Sequence, residues 1–377
     1  MKRLADICDI QYGYAFDSKC FTEDSSYPQL VRIRDVKRGY SETYYSGNYP
    51  DEYILSEGDL LIGMDGEFNI ARWKCSGALL NQRVCKLTTK VGTNEEYLRF
   101  AMLKSLKEIE QRTAFVTVKH LSAKELNKLE LDVPELTKQD KIADTLSRLE
   151  RVIEARKEEL EELDELIKAR FVEMFGDPVT NSLSWEEHRL EEYIEFLTSG
   201  SRGWSKYFVN EKNELFITIK NVKNNHIVLD NIQYIDVPQN KEAERTKVKT
   251  GDLLISITAD LGRTAVVDKE VAEKGAYINQ HLSLVRLDAE RINPLFVSHF
   301  LETDGGKLQF KSKNQSAVKA GLNFEAIKSL KVLAPPIELQ NQFADFVRAV
   351  DKSKIKVQKA LDETQKLFDS LMQQYFG

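Results

Sequence analysis

Residues 134–176 read PELTKQDKIADTLSRLERVIEARKEELEELDELIKARFVEMFG, and residues 335–377 read PPIELQNQFADFVRAVDKSKIKVQKALDETQKLFDSLMQQYFG. The second stretch follows the first at a constant offset of 201 residues, without a gap. Gln139, Ala143, Asp144, Leu160, Glu162, Leu166, Phe175 and Gly176 recur as Gln340, Ala344, Asp345, Leu361, Glu363, Leu367, Phe376 and Gly377. A duplication of this length is the first constraint on the fold.

Each copy carries a 4-3 apolar rhythm. In the first it runs Ile142, Leu146, Leu149, Ile153, Arg156, Leu160, Leu163, Ile167. In the second it runs Phe343, Val347, Val350, Lys354, Val357, Leu361, Thr364, Phe368, Leu371. This is a coiled-coil seam with isolated polar members. Prolines open each copy, where a missing N–H costs little, and Gly176 before Asp177-Pro178 closes the first. The two helices are expected to pair antiparallel about a pseudo-twofold axis. With residue i opposite 517 − i, the acidic run of residues 158–165 (EELEELDE) falls against residues 352–359 (KSKIKVQK). Flanking charges of this kind set helix orientation.

The chain has 377 residues, enough for two or three domains, and a net charge of −6, so any basic surface is local. Met1-Lys2-Arg3-Leu4 leads into a mixed segment rather than an apolar core. No apolar run approaches the ~20 residues of a membrane span. A cytoplasmic protein is expected. The cysteines Cys8, Cys20, Cys75 and Cys85 form no C-x-x-C pair and read as reduced, small apolar residues; no metal site is expected.

Residues 1–133 and 178–334 flank the helices and share one plan. Residues 3–7 (RLADI) correspond to 189–193 (RLEEY), and an alternating strand is read at 30–36 (LVRIRDV) and at 216–222 (FITIKNV). The turn-plus-buried-strand 57–62 (EGDLLI) matches 250–255 (TGDLLI), and 80–83 (LNQR) matches 278–281 (INQH). A helix follows around 97–110 and 294–301, then Val118-Lys119 or Val318-Lys319, then a short helix and strand. Each piece is expected to be an α/β domain with a twisted, largely antiparallel sheet. The boundaries are 1–133, 134–177, 178–334 and 335–377. Loops that vary on a shared scaffold are where specificity resides.

Catalytic motifs do not emerge. There is no G-x-x-x-x-G-K-[ST] loop and no G-x-G-x-x-G after a strand. Asn293-Pro294-Leu295-Phe296 lacks the second proline of the N-P-P-[FY] loop of adenine methyltransferases and reads as a helix N-cap. Asp65, Glu67 and Asp260 do not make a nuclease set preserved in both halves, and His120, His226 and His281 are scattered singly. No catalytic residue is expected.

Two globular pieces, each followed by a long helix opening P-x-x-x-x-Q-x-x-[IF]-A-D, resemble the specificity subunits of type I restriction–modification systems. The carrying motifs are G-D-L-L-I at 58–62 and 251–255, Asn81-Gln82 and Asn279-Gln280, and the helical starts at 134–139 and 335–340. Where the family commonly has Glu-Gln, this chain has Lys138-Gln139 and Leu339-Gln340. The resemblance implies two target-recognition domains separated by paired antiparallel helices, each reading half of a bipartite duplex DNA target. It implies two modification subunits docked on the helices. These partners bind S-adenosylmethionine and methylate adenine, and a restriction subunit, where present, adds ATP- and Mg2+-dependent translocation and cleavage. This chain would bind no cofactor. The alternatives weighed against this reading are a solitary methyltransferase or nuclease, which the missing motifs disfavour, and a coiled-coil adaptor, which the divergent loops disfavour.

Phosphate contacts hold register and base contacts give sequence. In the first domain the candidates are Arg32, Arg34, Lys37, Arg38 and Tyr40, then Asn69 and Arg72 in the loop after the Gly58 strand, then Gln82, Arg83, Lys119 and His120. Strand alternation is expected to bury Ile33 and turn both Arg32 and Arg34 outward. In the second domain they are Lys220, Asn221, Lys223, Asn224, Asn225 and His226, then Thr258, Asp260 and Arg263, then Gln280, His281 and Lys319. Arg202, Trp204 and Lys206 form an early basic–aromatic cluster. Arg pairs bidentately with guanine and Asn or Gln with adenine. From Ile142 to Met174 a helix spans ~50 Å at ~1.5 Å per residue, which predicts half-sites separated by about 5–8 base pairs.

Overall fold

The duplicated stretches form two 40-residue helices, Leu136–Phe175 and Ile337–Phe376. The computed structural model describes residues 1–112, 120–210, 213–315 and 321–377. The chain divides into two compact units, Met1–Glu158 with Val357–Gly377, and Glu159–Lys356. Each unit holds a globular part and segments of both helices.

In the first unit a four-stranded antiparallel sheet is built from Cys8–Tyr12 (β1), Leu60–Gly63 (β2), Asn69–Arg72 (β3) and Val84–Thr89 (β4), in the order β1-β4-β2-β3. The helix Glu95–Arg112 packs its buried face, Tyr97, Leu98, Phe100 and Met102, against Leu60, Ile62, Cys85 and Leu87. Seam residues close this core: Ile142 and Leu146 from the first long helix, and Phe368, Leu371 and Phe376 from the second. Phe368 meets Phe100 edge-on at 6.0 Å between centroids, and Phe376 meets Tyr97 at 5.3 Å. Burial pushes the Cys8 thiol up to about 12, as expected for an inert core cysteine.

The second unit repeats the sheet with Ile194–Ser199 (β5), Leu253–Ser256 (β6), Thr264–Val266 (β7) and Leu282–Leu287 (β8), ordered β5-β8-β6-β7. The helix Pro294–Glu302 lies on it, capped by Asn293, whose side chain accepts from Leu295 N at 2.9 Å. Phe171, Phe175, Phe296 and Phe343 form an aromatic knot with centroid separations from 4.7 to 5.7 Å. Burying each such ring contributes roughly 1.5–3 kcal/mol.

The helix pairing follows the expected register. In the first unit the seam residue Arg156 donates to Ala360 O and Thr364 Oγ1. In the second, Lys354 pairs with Asp164 at 2.5 Å. Ala360 and Lys354 each lie within one residue of the position opposite their partner. The polar members thus pair across the seam instead of interrupting it.

The expected long alternating strands are corrected. Leu30–Val31 is a two-residue strand, and Ile33–Val36 is a helical turn. Asp35, buried, accepts from Arg32 N at 3.0 Å and Ser41 Oγ at 2.9 Å, which caps the turn and ends the strand. The second unit does the same: Glu214–Ile217 is strand, and Ile219–Asn221 a 3-10 turn whose buried Asn221 accepts from Thr218 N at 3.0 Å. Among the described residues no helix is long and apolar enough to cross a membrane.

Candidate nucleic-acid interface

The two recurrent motifs lock together. Gly58 and Gly251 take φ values of 91° and 86° at the turns entering β2 and β6. Asp59 accepts from Ser56 N and Lys86 Nζ; Asp252 accepts from Lys249 N and, bidentately, from Nε and Nη2 of Arg286. The Asn-Gln dipeptides lie against Gly13 and Gly200, where an added Cβ would sit 2.0 Å from the carbonyl oxygen of Asn81 or Asn279. Only glycine permits that approach. Gln82 N then donates to Tyr14 O, and Gln280 N to Ser201 O. Both motifs are scaffold.

What the scaffold presents is a three-segment platform, made the same way twice. In the first unit Met64 N donates to Arg83 O at 2.9 Å, and Leu121 N to Met64 O at 2.7 Å. In the second Ile257 N donates to His281 O at 3.0 Å, and Leu322 N to Ile257 O at 2.9 Å. The next residues meet above these bonds. Asp65 lies 2.5 Å from His120 Nδ1 and 3.6 Å from Arg83 Nε, and Arg83 Nη1 is 3.1 Å from His120 Nδ1. Thr258 Oγ1 is 2.8 Å from His281 Nδ1, Gln280 Nε2 is 3.2 Å from His281 Nε2, and Arg202 donates to Gln280 Oε1 at 2.6 Å. The candidates Arg83 and His120, and Arg202, Thr258, Gln280 and His281, therefore converge within each unit, while Gln82 is placed by its backbone N–H alone, bonded to Asn81 Oδ1 and Tyr14 O.

Around these platforms other candidates lie at the surface. Arg34, Lys37, Arg38 and Tyr40 are exposed, Lys37 within 3.5 Å of Glu67. Lys206, Lys220, Lys223 and Asn224 are exposed too, and Arg263 pairs with Asp260 at 3.1 Å. A cleft of about 520 Å³ is lined by Lys223, Asn224, Arg263, Lys307 and Lys311 among others. Lys307 and Lys311 belong to the helix Asp304–Gln315 and escaped the sequence reading, because their spacing of four marks only an exposed helix face. Lys119 and Lys319 lie outside the described residues.

Several candidates have internal roles. Arg72 lies on β3, not in a loop, and donates to Glu95, Glu96 and Gly58 O, tying the sheet to its helix. Asn69 is also on β3, its amide donating to Glu67 O at 3.1 Å. Arg32 is half-buried against Asp35 rather than paired outward with Arg34. Trp204 is buried, stacked on Phe216 with its indole N–H donated to Glu242. Asn221 is buried, donating to Val228 O, and Asn225 is buried between Thr264 and Ser298. His226 faces Asp351 of the second long helix at 3.2 Å. Each is held by packing or hydrogen bonds that a DNA contact would have to break. Among the described residues no group of three or more His, Cys, Asp or Glu side chains could hold a metal ion.

The type I restriction modification DNA specificity domain matches the chain twice, over residues 1–165 and 183–365. The type I restriction enzyme EcoBI specificity subunit of Escherichia coli is 27% identical over 404 residues, covering 99% of this chain and 84% of that protein. The crystal structure of the S subunit of the type I restriction–modification system of M. genitalium superposes with a TM-score of 0.64 at 15% identity, covering 100% of this chain and 95% of that one. A chain from a structure describing complex assembly and conformational transition of the type I system gives 0.54 at 18% identity, covering 100% and 96%. Those likenesses match the two-unit α/β plan described above. With both halves matched over nearly their whole length, the chain belongs to the type I restriction modification DNA specificity domain family.

Proposed function

We propose that this chain is the non-catalytic, sequence-specific DNA-recognition subunit of a type I restriction–modification complex, acting in the cytoplasm. Residues 1–133 and 178–334 each read one half of a bipartite duplex target. Residues 134–177 and 335–377 space the readers and dock two modification subunits. Those partners carry S-adenosylmethionine and methylate adenine; a restriction subunit that joins them brings the ATP- and Mg2+-dependent chemistry.

The duplicated platform carries this reading. One pattern of backbone hydrogen bonds bears Asp65, Arg83 and His120 in the first unit and Thr258 and His281 in the second. A fixed frame with exchanged polar side chains suits a pair of readers for different sequences. Two equivalent partners suit a pseudo-twofold chain. On the long helices the repeat mates Leu166 and Leu367 are both exposed, at 46% and 50%, as apolar footholds for such partners.

The test separates this reading from a solitary enzyme. The purified chain alone should neither bind S-adenosylmethionine nor incorporate methyl groups into DNA, and should support methylation when its modification subunit is added. Methylation by the chain alone would overturn the proposal.

A further inference from the structure

We infer that Arg83, oriented by Asp65, which His120 holds in turn, is a base-reading side chain for guanine in the half-site of the first unit, and that His281, set between Thr258 and Gln280, holds the equivalent reading position in the second. The inference rests on the recognition function proposed above and assigns its specificity to a named position.

Arg83 has a φ of 71°, a conformation that disfavours a side-chain-bearing residue. It is held there between Asn81, locked on Gly13, and Val84, buried in β4. Its carbonyl accepts from Met64 N, so the origin of the side chain is fixed at the sheet end. Strain maintained by its surroundings clusters at functional positions. The guanidinium then reaches out, 52% exposed, its Nε 3.6 Å from Asp65, whose other carboxylate oxygen is held by His120 Nδ1 at 2.5 Å. A guanidinium held in one plane is pre-organised for the bidentate O6/N7 pattern of guanine.

Comparison of the units distinguishes a base contact from a phosphate contact. The same backbone bonds place His281 where Arg83 stands, and Thr258 where Asp65 stands. A phosphate looks alike in every sequence, so equivalent phosphate contacts would favour the same cation in both places. Here the cation is exchanged for an imidazole, and the carboxylate beside it for a hydroxyl. A carboxylate in direct contact with the cation also opposes the approach of a phosphate. Variation of this kind fits groups that meet different bases.

The experiment uses the full-length chain assembled with its modification subunits. Duplexes are varied one base pair at a time through both half-sites, and the half-site of the first unit is identified by exchanging residues 1–133. Arg83→Lys keeps the charge and loses the fork. Arg83→Gly suits the left-handed backbone, so its fold is retained. Both variants should lose about 5- to 150-fold discrimination, the span of a bidentate base contact, at one guanine of that half-site, with the other half-site unchanged. His281→Ala should alter one position of the other half-site alone. Uniform weakening on all sequences, or intact discrimination in both Arg83 variants, would overturn the assignment while leaving the recognition function standing. A wild-type complex with no sequence preference would overturn both.

Discussion

The side-chain oxygen of Gln139 accepts the backbone N–H of Asn94 at 2.9 Å, and 201 residues later Gln340 accepts that of Asn293 at the same 2.9 Å. Each glutamine is buried and donates from its other end to the proline that opens its long helix, Pro134 or Pro335, at 2.8 Å. Asn94 and Asn293 close the link by donating to Asp140 and Asn341. The glutamine of the helical-start motif is thus a clamp between the long helix and the start of the sheet-packed helix. Replacing it by alanine leaves a half-buried backbone donor without its protein partner, which costs about 1 kcal/mol, the low end of the range for an unsatisfied group. Gln139→Ala and Gln340→Ala should each destabilise their own unit by about 1 kcal/mol in denaturant unfolding. Unchanged midpoints would show that the bonds carry no net stability.

His299 lies in the second unit, and among the described residues its buried Nε2 has no hydrogen-bond partner. Burial first, then the charges of His226 and Lys354, hold its imidazole down to about 3 from an ordinary 6.5; Asp351 and Asp164 oppose this in part. The unfolded chain takes up a proton near 6.5 that the folded chain refuses. Stability from this group is therefore fully present above pH 6.5 and is lost as pH falls toward 3. The slope reaches at most ~1.4 kcal/mol per pH unit. His299→Phe should flatten that part of the stability–pH curve, read by thermal unfolding between pH 7 and 5. An unaltered slope would place the acid sensitivity elsewhere.

Much of this was legible in the sequence because it is periodic and local. The seam residues Ile142, Leu146, Phe343 and Val347 declare their helix by spacing alone, and they are buried as expected. Asn293 declares its cap in the same way. The strand read across residues 30–36 failed because one buried carboxylate, Asp35, captures the Arg32 N–H and turns the chain. Trp204 looked like part of a basic surface cluster, but its ring completes the core on Phe216 and Tyr277. The platform was not legible as a unit. Asp65, Arg83 and His120 come from three separate segments, and only the sheet-end hydrogen bonds bring them together.

Exchange of residues 1–133 for the corresponding piece of another family member should change one half of the recognised sequence and leave the other intact, as read by mapping methylated sites. A change in both halves would mean that the two pieces do not read independently.

Removing one heptad from each long helix, residues 156–162 and 357–363, preserves the phase of the seam and shortens each helix by ~10 Å at ~1.5 Å per residue. At ~3.4 Å per base pair the gap between half-sites should contract by about three base pairs, with both half-sites unchanged. A retained gap with retained DNA binding would show that helix length does not set the spacing.

The central claim is that one chain with two internally repeated readers directs its partners to a bipartite target. The most direct measurement is a genome-wide map of methylated adenines in cells expressing this chain with its modification subunit. The account predicts a single motif of two unlike half-sites separated by a fixed run of unspecified base pairs, with one methylated adenine in each half on opposite strands. A continuous motif, or methylation confined to one half-site, would contradict it.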